Sequence, residues 1–445
     1  MPGAIDFLLD RFRSAADKPA FIEADGTSTY GDLLNAIVAC QARLDAAGIG
    51  FGTSVQLHGD FGLDAAAWLM ALWSREAIVT PVAPTSEEKA AEFGDVAEIA
   101  VSIDHDVIQT VPGHTDCALY SQLRADHHPG LIIFSSGTSG TSKGALHDVD
   151  RLLTKFHEPG KDMRTLAFLL FDHIAGVDTM LYCLSNTSTI VCTADRSPEA
   201  VTTLIEDHHV EVLPTAPSFL NMMLLSGAAE THDLSSLKIV TYGAEMMPQS
   251  LLERVGDALP DTVKLIQKYG TSEIGALKSR SENNASRWID LGPVGETWRV
   301  RDGLLEVKTK TAMLGYLNAP SPFTEDGWYK TGDRVDVRGN LVQFQGRESD
   351  IINVGGQKVF PAEVENAIRA LDGVDDVAVF GKPHPMLGAS VCAKIKMHDP
   401  AITPAQVRVG LRQGLSGVLE PYKIPQKIEL VTEALTTARF KQQRG

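Results

Sequence analysis

Residues Ser135 to Gly144 read SSGTSGTSKG and follow the apolar run LIIF. A segment of this kind leaving a core strand suits phosphate oxygens. Gly137 and Gly140 let backbone N–H groups turn toward an anion, Ser135, Ser136, Thr138 and Ser139 add donors, and Lys143 supplies a fixed positive charge. Lys143 is preceded by Ser142 and followed by Gly144, so the segment is not the GxxxxGK[ST] loop. A solvated linker is the bland alternative, but linkers seldom join a core strand to one terminal lysine.

Three more positions could do chemistry. Glu273 follows the run VKLIQKYG, which places it at the carboxyl end of a strand, where α/β sheets put ligands. A hard carboxylate oxygen there suits Mg²⁺; capping of a following helix is the alternative. Asp333 in a TGD turn can accept two hydroxyl donors, and Arg347 can reinforce a sugar or phosphate contact. Read alone, Asp333 is a turn former and Lys441 a solvated tail residue. His208-His209 lacks a spaced third ligand, so surface or strand-edge histidines are expected.

These groups must be positioned by a chain of 445 residues, long enough for one large and one small domain. With 44% hydrophobic and 22% charged residues, it has an ordinary globular composition, and no apolar run nears the roughly 20 residues that span a bilayer. The first residues, with Asp6 and Asp10 among apolar ones, do not read as a secretion signal, so a cytoplasmic protein without a membrane span is expected. Cys40, Cys117, Cys183, Cys192 and Cys392 are odd in number and never spaced CxxC, which argues for reduced thiols. A formal charge of −17 repels polyanions. Nucleic acid is therefore a poor partner, and a phosphate-bearing ligand needs locally concentrated donors.

The runs SVQL, AIVTPV, LIIF, STIVCT, VEVLPT, SLKIVTYG and VKLIQKYG alternate with amphipathic stretches. This predicts α/β layers with largely parallel sheets. From about Gly303, short strands with Gly and Asp turns predict a β-meander subdomain. The remainder predicts a small C-terminal α+β domain: helix PAEVENAIRALDGV, strands DDVAVFG and VCAKIKM, and helix TPAQVRVGLRQGL behind a Thr cap. The expected domains are 1–346 and 350–445, with a hinge near Ser349.

SSGTSGTSKG resembles the phosphate-binding signature of the adenylate-forming superfamily, which includes acyl- and aryl-CoA ligases, peptide-synthetase adenylation domains and luciferases. Further resemblances follow in the family's order: Tyr242-Gly243-Ala244-Glu245 with the segment against adenine, Tyr269-Gly270-Thr271-Ser272-Glu273 with YGxTE, Tyr329 to Asp333 with YxTGD, Gly346-Arg347 with GRxxD, and Lys441 with a final KxxR. They span nearly the whole chain, from TYGDLL at Thr29 onward. The resemblance implies ATP, Mg²⁺ and a thiol acceptor as cofactors. Thr271 would donate to the α-phosphate, Glu273 and Thr138 would hold the metal, Asp333 would accept the ribose hydroxyls, and Lys441 would bridge the substrate carboxylate and α-phosphate within a mobile C-terminal lid. The implied reaction makes an acyl-adenylate by positioning and charge neutralisation, without a covalent nucleophile.

The resemblance places the acid pocket and thiol channel around Asp172, His173, Pro214 to Met223, Tyr242 and the Gly355-Gly356 turn. LLFDHIAGVDTM is similar to the CoA-ligase pattern plFHxxG, which makes His173 a candidate gate. Phe171-Asp172 also matches half of the FDxS of amino-acid adenylation domains, so Asp172 faces water, caps a helix or meets a substrate amine. GGQKVFPAEVE resembles the CoA-ligase GGxxxxPxEVE, which favours coenzyme A; a carrier-protein phosphopantetheine arm remains the other acceptor, and an acyl carrier protein the other partner. Ser349-Asp350 and Phe440 depart from the family's usual residues, and the segment between PVAP and the phosphate loop is short. A non-catalytic homologue that binds nucleotide or acyl ligand is opposed by the joint presence of Lys143, Thr271, Glu273, Asp333, Arg347 and Lys441.

Overall fold

The computed structural model describes residues 3–112, 117–135, 141–399, 401–432 and 435. Ser136, Gly137, Thr138, Ser139, Gly140 and Lys441 lie outside the described residues. The predicted runs form two seven-stranded sheets. The first runs in the order Lys264–Gln267, Ile239–Tyr242, Val212–Thr215, Thr165–Ala167, Ile190–Cys192, Pro19–Glu23 and Gly26–Thr29, parallel except for its last pair. The second runs Gly315–Tyr316, Lys143–Asp148, Gly130–Ser135, Ile78–Val82, Ser54–His58, Val101–Asp104 and Val107–Thr110, parallel in the middle and antiparallel at both ends.

Helix Leu63–Ser74 is buried continuously from Ala65 to Trp73. A helix apolar on every side is stable only between layers. Accordingly, Trp68, Leu69, Met70 and Leu72 belong to one core with Phe21 and Ile190 of the first sheet and Val55, Leu57 and Ile133 of the second. This packing fixes the two sheets, and with them the loops at their ends.

The predicted meander is an antiparallel six-stranded sheet ordered Arg280–Ser281, Ile289–Asp290, Leu341–Arg347, Tyr329–Arg338, Leu304–Val307 and Trp298–Arg301. Its core contains Trp298, Leu305, Val307 and Val342, together with Tyr269 from beyond the first sheet. A short 3₁₀ turn, Glu348–Asp350, then leads into a five-stranded sheet. That sheet carries helices Pro361–Arg369 and Pro404–Leu415 and has its own core, from Ile352 to Leu419. The Thr403 cap is a full capping box with Gln406. Among the described residues no helix is long and apolar enough to cross a membrane.

Gly176, in the first turn of helix Ile174–Ser185, packs so closely that a Cβ would stand 1.9 Å from the Leu170 carbonyl oxygen. Because that obstacle is backbone, relief requires the helix to move. Gly176→Ala should destabilise the protein by about 1–3 kcal/mol or more, read as a lower denaturant midpoint. An unchanged midpoint would contradict the packing described.

Candidate active site

The strand Lys264–Gln267 delivers the YGTSE segment to the meander. The Tyr269 hydroxyl donates to Asp333 Oδ2 at 2.7 Å, and its ring stacks on Phe344 with centroids 4.5 Å apart. Asp333 pairs in register with Arg347 on the neighbouring strand, and Arg347 Nε lies 3.4 Å from Asp333 Oδ1. The TGD turn needs its glycine, since Gly332 has φ +72°. Thr331 locks the turn by donating to Leu305 O at 2.8 Å and accepting from the Asp333 N–H at 2.9 Å. Burial raises the Asp333 carboxyl above its ordinary value, although Arg347 and Tyr269 pull it down.

Thr271 stands on a short ribbon, Gly270–Thr271 against Gly275–Ala276. A Cβ at Gly270 would lie 2.4 Å from Gly275 O, so only glycine fits. Glu273 is buried, and its Oε1 accepts from the Tyr316 hydroxyl at 2.5 Å. Burial would raise this carboxyl, but hydrogen bonds from Thr271, Tyr316 and Tyr329 outweigh it and hold Glu273 below its ordinary value. It therefore stays ionised, as a hard-cation ligand must.

The phosphate-loop candidate connects antiparallel neighbours, with Ser135 opposite Lys143. It is the connection of a hairpin and not the strand-to-helix turn of a P-loop. Asn318 ties its end, accepting from Gly144 N at 3.2 Å and donating to Ser142 O at 2.8 Å, while Ser142 N donates to Glu92 Oε1 at 2.7 Å. Lys143 Nζ lies 5.5 Å from the Tyr316 ring centroid. Tyr316 therefore links the loop lysine to the metal-ligand candidate. No local pattern announces Tyr316, Asn318 or Glu92, because each acts across a large sequence separation.

The predicted adenine segment begins at buried Tyr242. A Cβ at Gly243 would stand 2.8 Å from Lys268 O, and Ala244 takes φ +66°, a left-handed conformation that costs a side-chain-bearing residue energy. Glu245 Oε2 accepts from Ser218 N at 3.1 Å; its buried Oε1 has no hydrogen-bond partner among the described residues. Burial pushes this carboxyl up to about 7, with the Ser218 hydrogen bonds acting the other way.

A cavity of about 370 Å³ opens between these parts and the C-terminal sheet and helices. Ala244, Glu245, Tyr269, Gly270, Thr271, Asp333 and Arg347 lie on its wall, with Pro361, Glu365 and Arg369 facing them. Ser135, Lys143, Gly243, Glu273, Asp172, His173, Pro214, Tyr242, Gly355 and Gly356 are not on that wall. Asp172 is buried and not on the surface, and the residue that caps helix Ile174–Ser185 is His173, whose Nδ1 accepts from Ala175 N at 3.4 Å. Pro214 is buried in strand Val212–Thr215. Gly355 and Gly356, at φ +58° and +86°, make the turn before strand Gln357–Val359. His208 ends helix Pro198–His208, and His209 follows in a left-handed cap.

Two α/β sheets, an antiparallel meander and a small C-terminal domain closing on a cavity of this kind define an adenylate-forming fold. The AMP-binding enzyme family matches residues 95–300, and the AMP-binding enzyme C-terminal domain family matches 363–441. The chain belongs to the AMP-binding, adenylate-forming family. It is 31% identical over 323 residues to a 3-[(3aS,4S,7aS)-7a-methyl-1,5-dioxo-octahydro-1H-inden-4-yl]propanoyl:CoA ligase of Rhodococcus jostii, covering 67% of this chain and 61% of that protein. It is 28% identical over 340 residues to an indoleacetate–CoA ligase of Aromatoleum aromaticum, covering 70% and 65%. The chain thus spans less than two thirds of the length of these relatives. The crystal structure of an anthranilate CoA ligase in complex with anthranoyl-AMP superposes with a TM-score of 0.81 at 20% identity, covering 99% of this chain and 96% of that one.

Glu245 allows a pH test. A carboxyl raised in the fold contributes stability below its unfolded value near 4.5, and that contribution is lost as pH rises through about 7. Glu245→Gln should therefore match wild type in acid and melt about 2–4 °C higher once the pH exceeds that upper value. A melting difference that does not vary with pH would refute the buried, proton-retaining carboxyl.

Proposed function

We propose that this protein activates a carboxylic acid with ATP, forming an acyl-adenylate and pyrophosphate, and then transfers the acyl group to the thiol of coenzyme A. The observation that carries this reading is the meeting of Thr271, Asp333 and Arg347 on one inter-domain cavity wall, beside the Tyr316-supported Glu273. Asp333, with Oδ2 fixed by Tyr269, can accept the ribose hydroxyls. Arg347 steadies that carboxylate and offers charge to the phosphates. Thr271, whose hydroxyl bonds Glu273 here, would turn it toward the α-phosphate, and Gly270, bare of a side chain, keeps the ribbon closely paired beside the nucleotide.

Glu273 fits a magnesium site because it is anionic, oriented and supported by hydroxyl donors; with Thr138 it would supply the hard oxygens from the protein, the rest coming from phosphates and water. Bound there, the ion would neutralise charge on the triphosphate. Lys143 adds a second positive charge on the same side. The acid would enter between Asp172, His173, Pro214 and Tyr242, and the thiol would pass the Gly355-Gly356 turn. We place the domain boundary between 1–346 and 350–445, with the pivot near Ser349, where only the short 3₁₀ turn joins two separately packed cores.

The expected result is acid-dependent exchange of labelled pyrophosphate into ATP, screened across fatty, aryl and amino acids, followed by thioester formation with coenzyme A in preference to a holo-carrier protein. Lys441→Ala should lower the exchange rate by roughly 10²–10³-fold. No exchange with any acid would favour a binding protein. Tyr316→Phe removes the donor that orients Glu273 and should raise the Mg²⁺ concentration for half-maximal exchange by roughly 10-fold or more, leaving the maximum rate less affected. An unchanged Mg²⁺ dependence would separate Glu273 from the metal.

A further inference from the structure

His147 has no part in the roles assigned so far. It stands on the strand Lys143–Asp148, and since side chains at alternate positions share a face, it looks the same way as Lys143. There it meets the YGTSE segment: its Nε2 donates to Ser272 O at 2.6 Å. A carbonyl only accepts, so the ring carries its proton on Nε2. The ring is fully buried, and its Nδ1 has no hydrogen-bond partner among the described residues. Burial holds the imidazole below its ordinary pKa, with the Ser272 carbonyl and Glu273 opposing, so the neutral form is the one packed here. An unmet buried nitrogen costs free energy that a leucine on this apolar strand would avoid. Packing alone therefore does not account for a histidine, whereas the bond to Ser272 does.

That bond fixes a peptide plane. The Ser272 carbonyl and the Glu273 N–H are the two ends of one trans peptide and point in opposite directions. With the carbonyl turned to His147, the N–H faces Thr271 and donates to its Oγ1 at 3.3 Å. The backbone thus fills an acceptor position on the Thr271 oxygen and leaves its O–H to donate, here to the Glu273 carboxylate and, with nucleotide bound, to a phosphate oxygen. The carbonyls that follow are held from behind as well: Glu273 O by Met313 N at 2.7 Å, Ile274 O by Thr311 Oγ1 at 2.7 Å and Ala276 O by Lys155 Nζ at 3.1 Å. Of these holds, the one from His147 sets the plane whose N–H reaches Thr271.

We propose that His147 is a positioning residue for adenylate formation: through the Ser272–Glu273 peptide it fixes the Thr271 hydroxyl as a donor toward the α-phosphate. This rests on the acid-activating reading above. His147 is not on the cavity wall, so its loss lowers kcat with little change in KM for the acid.

The test measures pyrophosphate exchange over a range of acid concentrations in wild type, His147→Leu and His147→Gln, whose amide N–H can reach where Nε2 stood. His147→Leu should lower kcat by roughly 10- to 100-fold and change KM for the acid by less than about 3-fold, and His147→Gln should recover most of the loss. In a Thr271→Val background, His147→Leu should cost little more, because the hydroxyl it orients is gone. Equal losses in the Leu and Gln variants, or full additivity with Thr271→Val, would overturn the assignment. If His147→Leu does not fold, His147→Asn, too short to reach the Ser272 carbonyl, takes its place. Calorimetric titration of ATP with Mg²⁺ separates this role from the reaction itself. Binding weakened by roughly 10-fold in His147→Leu and regained in His147→Gln would support the positioning role even where no acid supports exchange, and would then count against adenylation alone. Without exchange, equal ATP binding by all three proteins, or none by any, would overturn it.

Discussion

The Tyr269–Asp333–Arg347 junction is where the separately stabilised parts of the molecule meet. Tyr269 comes from the end of the first sheet, Asp333 from the long central strand of the meander, and Arg347 from the last residue before the 3₁₀ turn into the C-terminal domain. A buried carboxylate is costly unless donors surround it, and here they come from a tyrosine and an arginine on different strands. The sheets, meander and domain linkage therefore cannot shift independently without exposing Asp333 to an unmatched environment. The residual upward push on its carboxyl shows that the two donors do not fully compensate burial. Two further hydroxyl donors, such as those of a ribose, would complete the set.

A second constraint runs through Tyr316. Its two-residue strand pairs with Lys143–Asp148, which sets the height of Lys143. From there its hydroxyl reaches Glu273, on a segment delivered by the other large sheet. One side chain thus holds Lys143 and Glu273 together, while Asn318, two residues on, ties Ser142 and Gly144. The arrangement fixes one positive charge near the Glu273 carboxylate in a protein whose net charge of −17 repels anions.

Most of the strands were legible because burial on both faces forces continuous apolar runs, as in LIIF and VEVLPT, and the meander was legible from its Gly and Asp turns. The capping box at Thr403 was readable because it is local in sequence. The site was readable only where chemistry is concentrated in short segments: YGTSE, YKTGD and GR lead to residues that do meet. The antiparallel return at Lys143 was not read, since a short half-apolar run after glycines carries no signal for direction. Tyr316, Asn318 and Glu92 were missed for the same reason that they matter, since each bridges segments remote in sequence. Asp172 was read as facing water, capping a helix or meeting an amine. Burial removes the first reading, and the His173 cap takes the helix end.

The cavity lies between the two domains. Its walls come from both domains, yet each domain packs its own core, and a short 3₁₀ turn is the covalent link. Contacts across the cleft include polar ones, such as the hydrogen bond from Asn221 Nδ2 to Asp375 O at 3.1 Å. Water can replace such a bond at little net cost, whereas separating an apolar core would expose area worth about 25 cal/mol per Å². A change of their mutual orientation would therefore cost polar contacts and leave both cores packed. Glu245, on the large-domain side of the same cleft, adds a carboxyl that is uncomfortable when ionised and lies close enough to Arg369 and Asp376 of the C-terminal domain to feel their charge. The energetic balance at the cleft is thus set by a few charged groups, and that is the balance a phosphate-bearing ligand would alter on binding.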